Sequence, residues 1–187
     1  EVVGGNISPQ DLKNYSSQWI TPLRMNVFGY DGWTTPPSTQ SYLTLSTLKG
    51  YELLSEKYEE SLHMLIESYR IFAADRDNIT YDYKDDILDF RGVDLDYIEK
   101  KIELYDDQKT QKFSFPEPSG GGTAYMTVRD SSGLGISLIQ SNFHGIGSRI
   151  GVDSYGFFLH NRGCGFNLQK GHKNYLQAGR KPLHTLS

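Results

Sequence analysis

The stretch "GGGTAYMTV", residues 120–128, decides how the rest of the chain is read. Three glycines run straight into Thr123 and then into residues that alternate as a strand does. The loosest part of the chain therefore meets an ordered part at a hydroxyl. If the peptide bond before Thr123 were cut, the threonine would carry its own general base. A free α-amino group has a pKa of about 7.7–8, so much of it is neutral near physiological pH and able to take the proton from Oγ. Nucleophile and base then share one residue, an arrangement suited to amide cleavage. The cut needs no protease, because Oγ of Thr123 can attack the Gly122 carbonyl and leave an ester that water opens. Glycine keeps that carbonyl sterically accessible. The bland alternative is a glycine linker ahead of a strand that happens to start with threonine.

The charge also changes sign at this junction. Residues 1–122 carry 12 Lys/Arg against 21 Asp/Glu, and residues 123–187 carry 7 against 2. Such asymmetry fits an anionic ligand on the basic side, or electrostatic attraction between the two parts. The Arg/Lys density and stacked aromatics of a nucleic-acid binder are missing, so no nucleic-acid partner is expected. No apolar run reaches the roughly 18 residues of a membrane helix, and no membrane partner is expected. One cysteine, Cys164, excludes an internal disulfide framework and fits a reducing compartment, which favours the cytoplasm. The opening on Glu1 and the ending at "RKPLHTLS" suggest a piece cut from a longer chain.

Upstream, Ser8-Pro9-Gln10-Asp11 predicts a short helix ending near Tyr15. Residues 18–35 predict two or three short strands, broken by Pro22 and Gly29. Helical spacing predicts helices over Thr39–Leu54, with Ser38 or Thr39 as cap, over Glu56–Ala74, and over Asp94–Leu104, with Asp94 as cap. Residues 106–122 are polar, hold Pro116 and Pro118, and predict a mobile linker. Beyond it, "RDSSG" between Tyr125–Val128 and Ile136–Gln140 predicts a hairpin, and "YGFFL" (155–159) a further strand. Helices with mainly antiparallel strands make this an α+β chain.

Other chemistries fit poorly. His144, His160, His172 and His184 do not fall at metal-ligand spacings, and no metal or cofactor is expected. "HGIGSRIG" (144–151) lacks the strand-loop-helix context of a dinucleotide loop. The acidic run "YDYKDDILDF" (81–90) lacks the spacing of a calcium loop and is expected to be a solvated turn.

Residues 120–166, from "GGGTAYMTVRDSSG" through "GIGSRIG" to "GFFLHNRGCGF", together with "AGRKPLHTLS" (178–187), resemble the start of the small subunit of γ-glutamyltranspeptidases. "GGNISPQDLKNY" (4–15), "TTPPSTQ" (34–40) and "AADRDNITYD" (73–82) are similar to the end of that family's large subunit, in the right order. The resemblance implies an N-terminal-nucleophile hydrolase with a four-layer αββα sandwich. A single precursor would cut itself at Gly122–Thr123 into large-subunit (1–122) and small-subunit (123–187) parts. It implies catalytic roles for Thr123 and for Ser141, the latter hydrogen-bonding the nucleophile's amine. Substrate contacts would come from Asn142, Phe143, Asn161, Arg162, His184 and Thr185. The family's oxyanion glycines and a carboxylate-binding arginine would lie outside residues 1–187, and a higher homo-oligomer is compatible with the resemblance.

The departures point to the acyl group. The family's loop asparagine falls at Phe143, its Asn-Asn-Gln becomes His160-Asn161-Arg162, and the aspartate that pairs with the substrate ammonium falls at Gly165. Losing a carboxylate and gaining a guanidinium favours an acyl group that bears a carboxylate without a charged amine. The leading expectation is a γ-glutamyltransferase-like amide hydrolase or acyltransferase acting on a small γ-glutamyl or related acyl amide. The alternatives are a glutaryl-type amide acylase of the same fold, or an unprocessed non-catalytic homologue, for which Thr-Ala-Tyr at 123–125 leaves room.

Overall fold

The computed structural model describes residues 7–83, 90–114 and 122–186. It begins with helix α1, Pro9–Asn14, closed by a reciprocal cap in which the Asp11 N–H donates to Ser8 Oγ (3.2 Å) and the Ser8 N–H to Asp11 Oδ2 (2.7 Å). Strands β1 (Leu23–Val27) and β2 (Tyr30–Thr34) pair antiparallel. Their two-residue connection, Phe28-Gly29, has positive φ at both positions (50° and 80°), as a tight hairpin of matching twist requires.

The core lies between this ribbon and three helices: α2 (Tyr42–Ser55), α3 (Leu62–Ala73) and α5 (Leu95–Ile102), with the short α4 (Arg76–Ile79) between the last two. Tyr42, Met64, Ile71, Phe72 and Ile98 are fully buried, and Met25 and Val27 reach them from β1. Gly50 lets α3 close on α2, since a Cβ there would stand 2.8 Å from the Phe72 ring. Buried Glu67 pairs with Arg70 (3.0 Å) and accepts the Gln111 N–H (2.9 Å), which ties the segment after α5 back onto α3.

Three expectations are corrected. Helix α2 starts at Tyr42, three residues later than Thr39, because Thr39 is held in a bridge to His184 and its hydroxyl donates to the Pro36 carbonyl; Ser41 takes the N-cap position. Helix α3 starts at Leu62, not Glu56, where Ser61 Oγ accepts the Met64 N–H (3.1 Å). Asp94 is the N-cap of α5, but its side chain makes no capping bond and pairs with Arg91 instead (3.2 Å). The linker expected over 106–122 and the acidic run at 81–90 fall partly outside the described residues.

The second part of the chain is built on a hairpin, β3 (Thr123–Arg129) with β4 (Gly135–Ser141). Asp130 Oδ1 organises its turn by accepting from the Ser132 N–H and hydroxyl and from the Leu134 N–H, and these bonds hold its carboxyl below the usual range. Both faces of the hairpin are exposed. A two-residue ribbon follows, β5 (Gly151–Val152) with β6 (Phe157–Phe158), and then a 3-10 turn over Arg162–Gly165. Strand β6 is shorter than the expected 155–159, because Tyr155 and Gly156 form the turn that returns to Val152. Helix and sheet together make the chain α+β, and among the described residues the strands pair as three two-stranded ribbons. The two parts meet through the Thr39–His184 bridge, the Lys181 N–H donated to Asp82 Oδ2 (2.9 Å), and Lys173 over the Tyr81 ring (5.0 Å).

Candidate functional site

Thr123 is the first residue of β3 and stands directly opposite Ser141, the last residue of β4. Antiparallel pairing at the open end of the hairpin thus brings two hydroxyls 18 residues apart face to face, and Thr123 Oγ1 donates to Ser141 Oγ at 3.0 Å. Ser141 Oγ also accepts the Phe143 N–H at 3.0 Å, so the serine fixes the nucleophile candidate and the loop beyond β4 at once. Thr123 and Gly122 are both exposed.

Gly122 is pinned from the other side. Its N–H donates to the Phe143 carbonyl (3.3 Å), and a Cβ on it would stand 2.8 Å from Gly145 O, 3.0 Å from Gly145 Cα and 3.2 Å from Gly145 N. Only a residue without a side chain fits that gap unchanged. Gly145 itself has φ +53° and Phe143 φ +78°, so the loop turns sharply to come up against Gly122. Gly145 therefore shapes the wall beside the Gly122–Thr123 peptide. The close approach of Gly145 was missed in the sequence, where a second glycine-rich segment downstream of the first was its only trace.

The expected substrate residues fall into a chain of contacts leading away from Thr123. The Asn142 carbonyl accepts the Asn161 N–H (3.2 Å), and Asn161 Oδ1 accepts the His144 N–H (3.0 Å), which clamps the Phe143 loop to the strand exit. Arg162 packs its guanidinium over the Phe143 ring, 5.4 Å from the centroid. It is only 5% exposed, and among the described residues neither Nη atom has a hydrogen-bond partner. Burial pushes its pKa down. The Arg162 N–H donates to His160 Nδ1 (3.3 Å).

His184 and Thr185 approach from the chain end. His184 bridges Thr39, its N–H donating to the Ser38 carbonyl (2.9 Å), and the Thr185 carbonyl accepts from Gln40 Nε2 (3.1 Å). The His184 ring is pushed down to about 4 by burial first, then by the charge of Arg162 and by His160. It is therefore neutral near pH 7, and since Nδ1 accepts the Leu186 N–H (3.3 Å), its proton sits on Nε2. Gly165 packs against Leu183, whose carbonyl oxygen would lie 2.6 Å from a Cβ there. Arg162 thus links the Thr123 cluster to the His184 segment. Among the described residues no group of three His, Cys, Asp or Glu side chains converges as a metal site, and no helix is long and apolar enough to cross a membrane.

The whole chain, with Thr123 heading a strand opposite Ser141, matches one family profile. The gamma-glutamyltranspeptidase profile covers residues 1–187. The chain belongs to the gamma-glutamyltranspeptidase family. It is 28% identical over 194 residues to the glutathione hydrolase-like YwrD proenzyme of Bacillus subtilis, an alignment that takes in 98% of this chain and 36% of the relative. The oxamate amidohydrolase proenzyme of Klebsiella pneumoniae is 27% identical over 201 residues, covering 99% and 36%. The glutathione hydrolase proenzyme of Bacillus subtilis is 26% identical over 211 residues, covering 98% and 36%. The chain therefore spans about a third of the length of these gamma-glutamyltranspeptidase relatives.

Proposed function

We propose that the chain carries the self-cleavage site and nucleophile of a γ-glutamyltransferase-like amide hydrolase or acyltransferase. The observation that carries this reading is the pairing of Thr123 Oγ1 with Ser141 Oγ at 3.0 Å, beside a Gly122 wedged against Gly145. Thr123 Oγ attacks the Gly122 carbonyl, the peptide moves to the oxygen as an ester, and water hydrolyses it. Residues 1–122 and 123–187 then belong to separate subunits, each continued by further chain in the αββα sandwich of the family. Tyr125, Met126, Val128, Ile136 and Leu138 are exposed along both faces of β3–β4, which supports further layers packing there.

In turnover, the freed amine of Thr123 takes the proton from Oγ as Oγ attacks the substrate amide. The proton passes to the leaving amine, an acyl ester remains on Thr123, and water or an acceptor amine removes the acyl group. Backbone N–H groups stabilise the tetrahedral oxyanion. Ser141 orients Thr123, while Asn142, Phe143, Asn161, Arg162, His184 and Thr185 line the acyl side. The exposed free thiol of Cys164 suits a reducing compartment such as the cytoplasm.

A second reading, that the acyl group bears a carboxylate and no ammonium, is favoured by Gly165 and Arg162. The name of the Klebsiella relative, an oxamate amidohydrolase, points to an amide of that kind. The test is to incubate the full-length processed protein with γ-glutamyl and glutaryl anilides, quench in acid, and map the peptides. The acyl mass should appear on the peptide that begins at Thr123 and be absent from a Thr123→Ala variant. An adduct on another residue, or anilide release by Thr123→Ala at the unmodified rate, would overturn the reading.

A further inference from the structure

The guanidinium of Arg162 is the unusual group of this molecule. A charge that is 5% exposed is expected to have an ion pair or a full set of hydrogen bonds, yet both Nη atoms lack a partner. The face of Phe143 lies against it, 5.4 Å from Cζ to the ring centroid, which offsets part of the desolvation but satisfies no N–H. The neighbouring rings add no compensating charge. His160 receives the Arg162 backbone N–H, and His184 is held neutral. The position that faces Leu183 in the same turn is Gly165, where no carboxylate is available and where a Cβ would collide with the Leu183 carbonyl. The turn thus leaves a buried forked cation with no hydrogen-bond partner at either Nη among the described residues.

We propose that the Arg162 guanidinium is the seat of a carboxylate on the acyl group of the substrate, making monoamides of dicarboxylic acids the preferred substrate class over γ-glutamyl amides. This rests on Thr123 being the nucleophile, and it deepens that reading by naming the group recognised. Two parallel N–H donors fit a carboxylate in bidentate fashion. An ammonium next to the carboxylate, as in a γ-glutamyl group, would be brought toward the guanidinium and repelled. The seat has a cover. Phe143 lies over the guanidinium in a left-handed backbone conformation (φ +78°), and its carbonyl holds the Gly122 N–H at 3.3 Å. Cutting Gly122–Thr123 detaches Gly122 from the strand and loosens one of the bonds on that loop, while the Ser141 and Asn161 bonds keep it in place, so a carboxylate reaches the Nη atoms by displacing the Phe143 ring.

The test compares glutaryl, γ-glutamyl and butyryl anilides on full-length processed protein, unmodified and as Arg162→Gln and Arg162→Lys. The expected kcat/KM order is glutaryl above both others by at least about tenfold. Arg162→Gln should lower the ratio of glutaryl to butyryl kcat/KM on the order of 30-fold, with partial rescue of that ratio in Arg162→Lys. A preference for γ-glutamyl, or an equal fall on all three substrates with self-cleavage intact, overturns the assignment of Arg162 alone. Failure of the unmodified protein to cut at Gly122–Thr123 would instead overturn the nucleophile itself. Should Arg162→Gln not fold, glutarate and butyrate are compared as competitive inhibitors of the unmodified protein. Tighter glutarate supports the seat, and equal inhibition removes it.

Discussion

Replacing Gly122 by alanine tests the geometry of the proposed cleavage site without touching the proposed nucleophile, Thr123. The added Cβ would lie 2.8, 3.0 and 3.2 Å from three backbone atoms of Gly145, none of which can rotate away. Relief requires Gly122 to withdraw from the loop, which breaks its 3.3 Å bond to the Phe143 carbonyl and carries its own carbonyl off the line of attack. Thr123 cannot follow, because β3 is held in register opposite Ser141. Forcing a carbon into a closed space costs about 1–3 kcal/mol, so holding the attack geometry should slow self-cleavage about 5- to 150-fold, with about 30-fold at the middle of that range. The assay is a time course of denaturing gels on freshly purified full-length precursor. Gly163→Ala serves as the control, since no atom lies within 4 Å of a Cβ there and its cleavage should match the unmodified rate. Residue 122 leaves with the upstream part, so Gly122→Ala protein that has finished cutting should turn over substrate at nearly normal kcat/KM. Cleavage of Gly122→Ala at or above the unmodified rate would refute the wedge.

Ser141→Ala removes the 3.0 Å partner of Thr123 and leaves the Phe143 N–H without its acceptor; rate losses of about tenfold are expected in both self-cleavage and turnover, read from gels and anilide release. Gly165→Ala should lower unfolding stability by about 1–3 kcal/mol against the Leu183 carbonyl while Gly163→Ala leaves the denaturant midpoint unchanged. His184 has a folded pKa lowered from 6.5 to about 4, so below pH 6.5 the unfolded state binds the extra proton first. Its contribution is complete above pH 6.5 and is lost as pH falls toward 4. The full shift would be worth ~3 kcal/mol, which solvent around a half-exposed ring reduces to about 1–2 kcal/mol. Denaturant titrations of the unmodified protein and of His184→Gln should diverge across that window, and parallel curves would remove the assignment.

Elements whose signals are local were legible in the sequence. The Ser8–Asp11 box, the Gly29 turn and the Asp130 turn each fix their own geometry, and the hairpin that the Asp130 turn closes places Thr123 across from Ser141. What was not legible depends on distant partners. Thr39 offered a cap, but pairing with His184 diverts it and moves the start of α2. Glu56, Lys57, Glu59 and Glu60 are strong helix formers, yet Ser61 caps the helix after them. In the site, the residue types at 143, 162 and 165 were readable, but not the burial of Arg162, the Phe143 stack or the fit of Gly165 to Leu183. Those come from the approach of three segments that the chain order leaves apart.

The most direct measurement is the intact mass of the full-length protein before and after incubation, with the N-terminus of the new fragment determined. The account predicts two pieces, the second beginning Thr123-Ala124-Tyr125, and an uncut Thr123→Ala variant. A chain that stays whole, or one that is cut equally in Thr123→Ala, would contradict it.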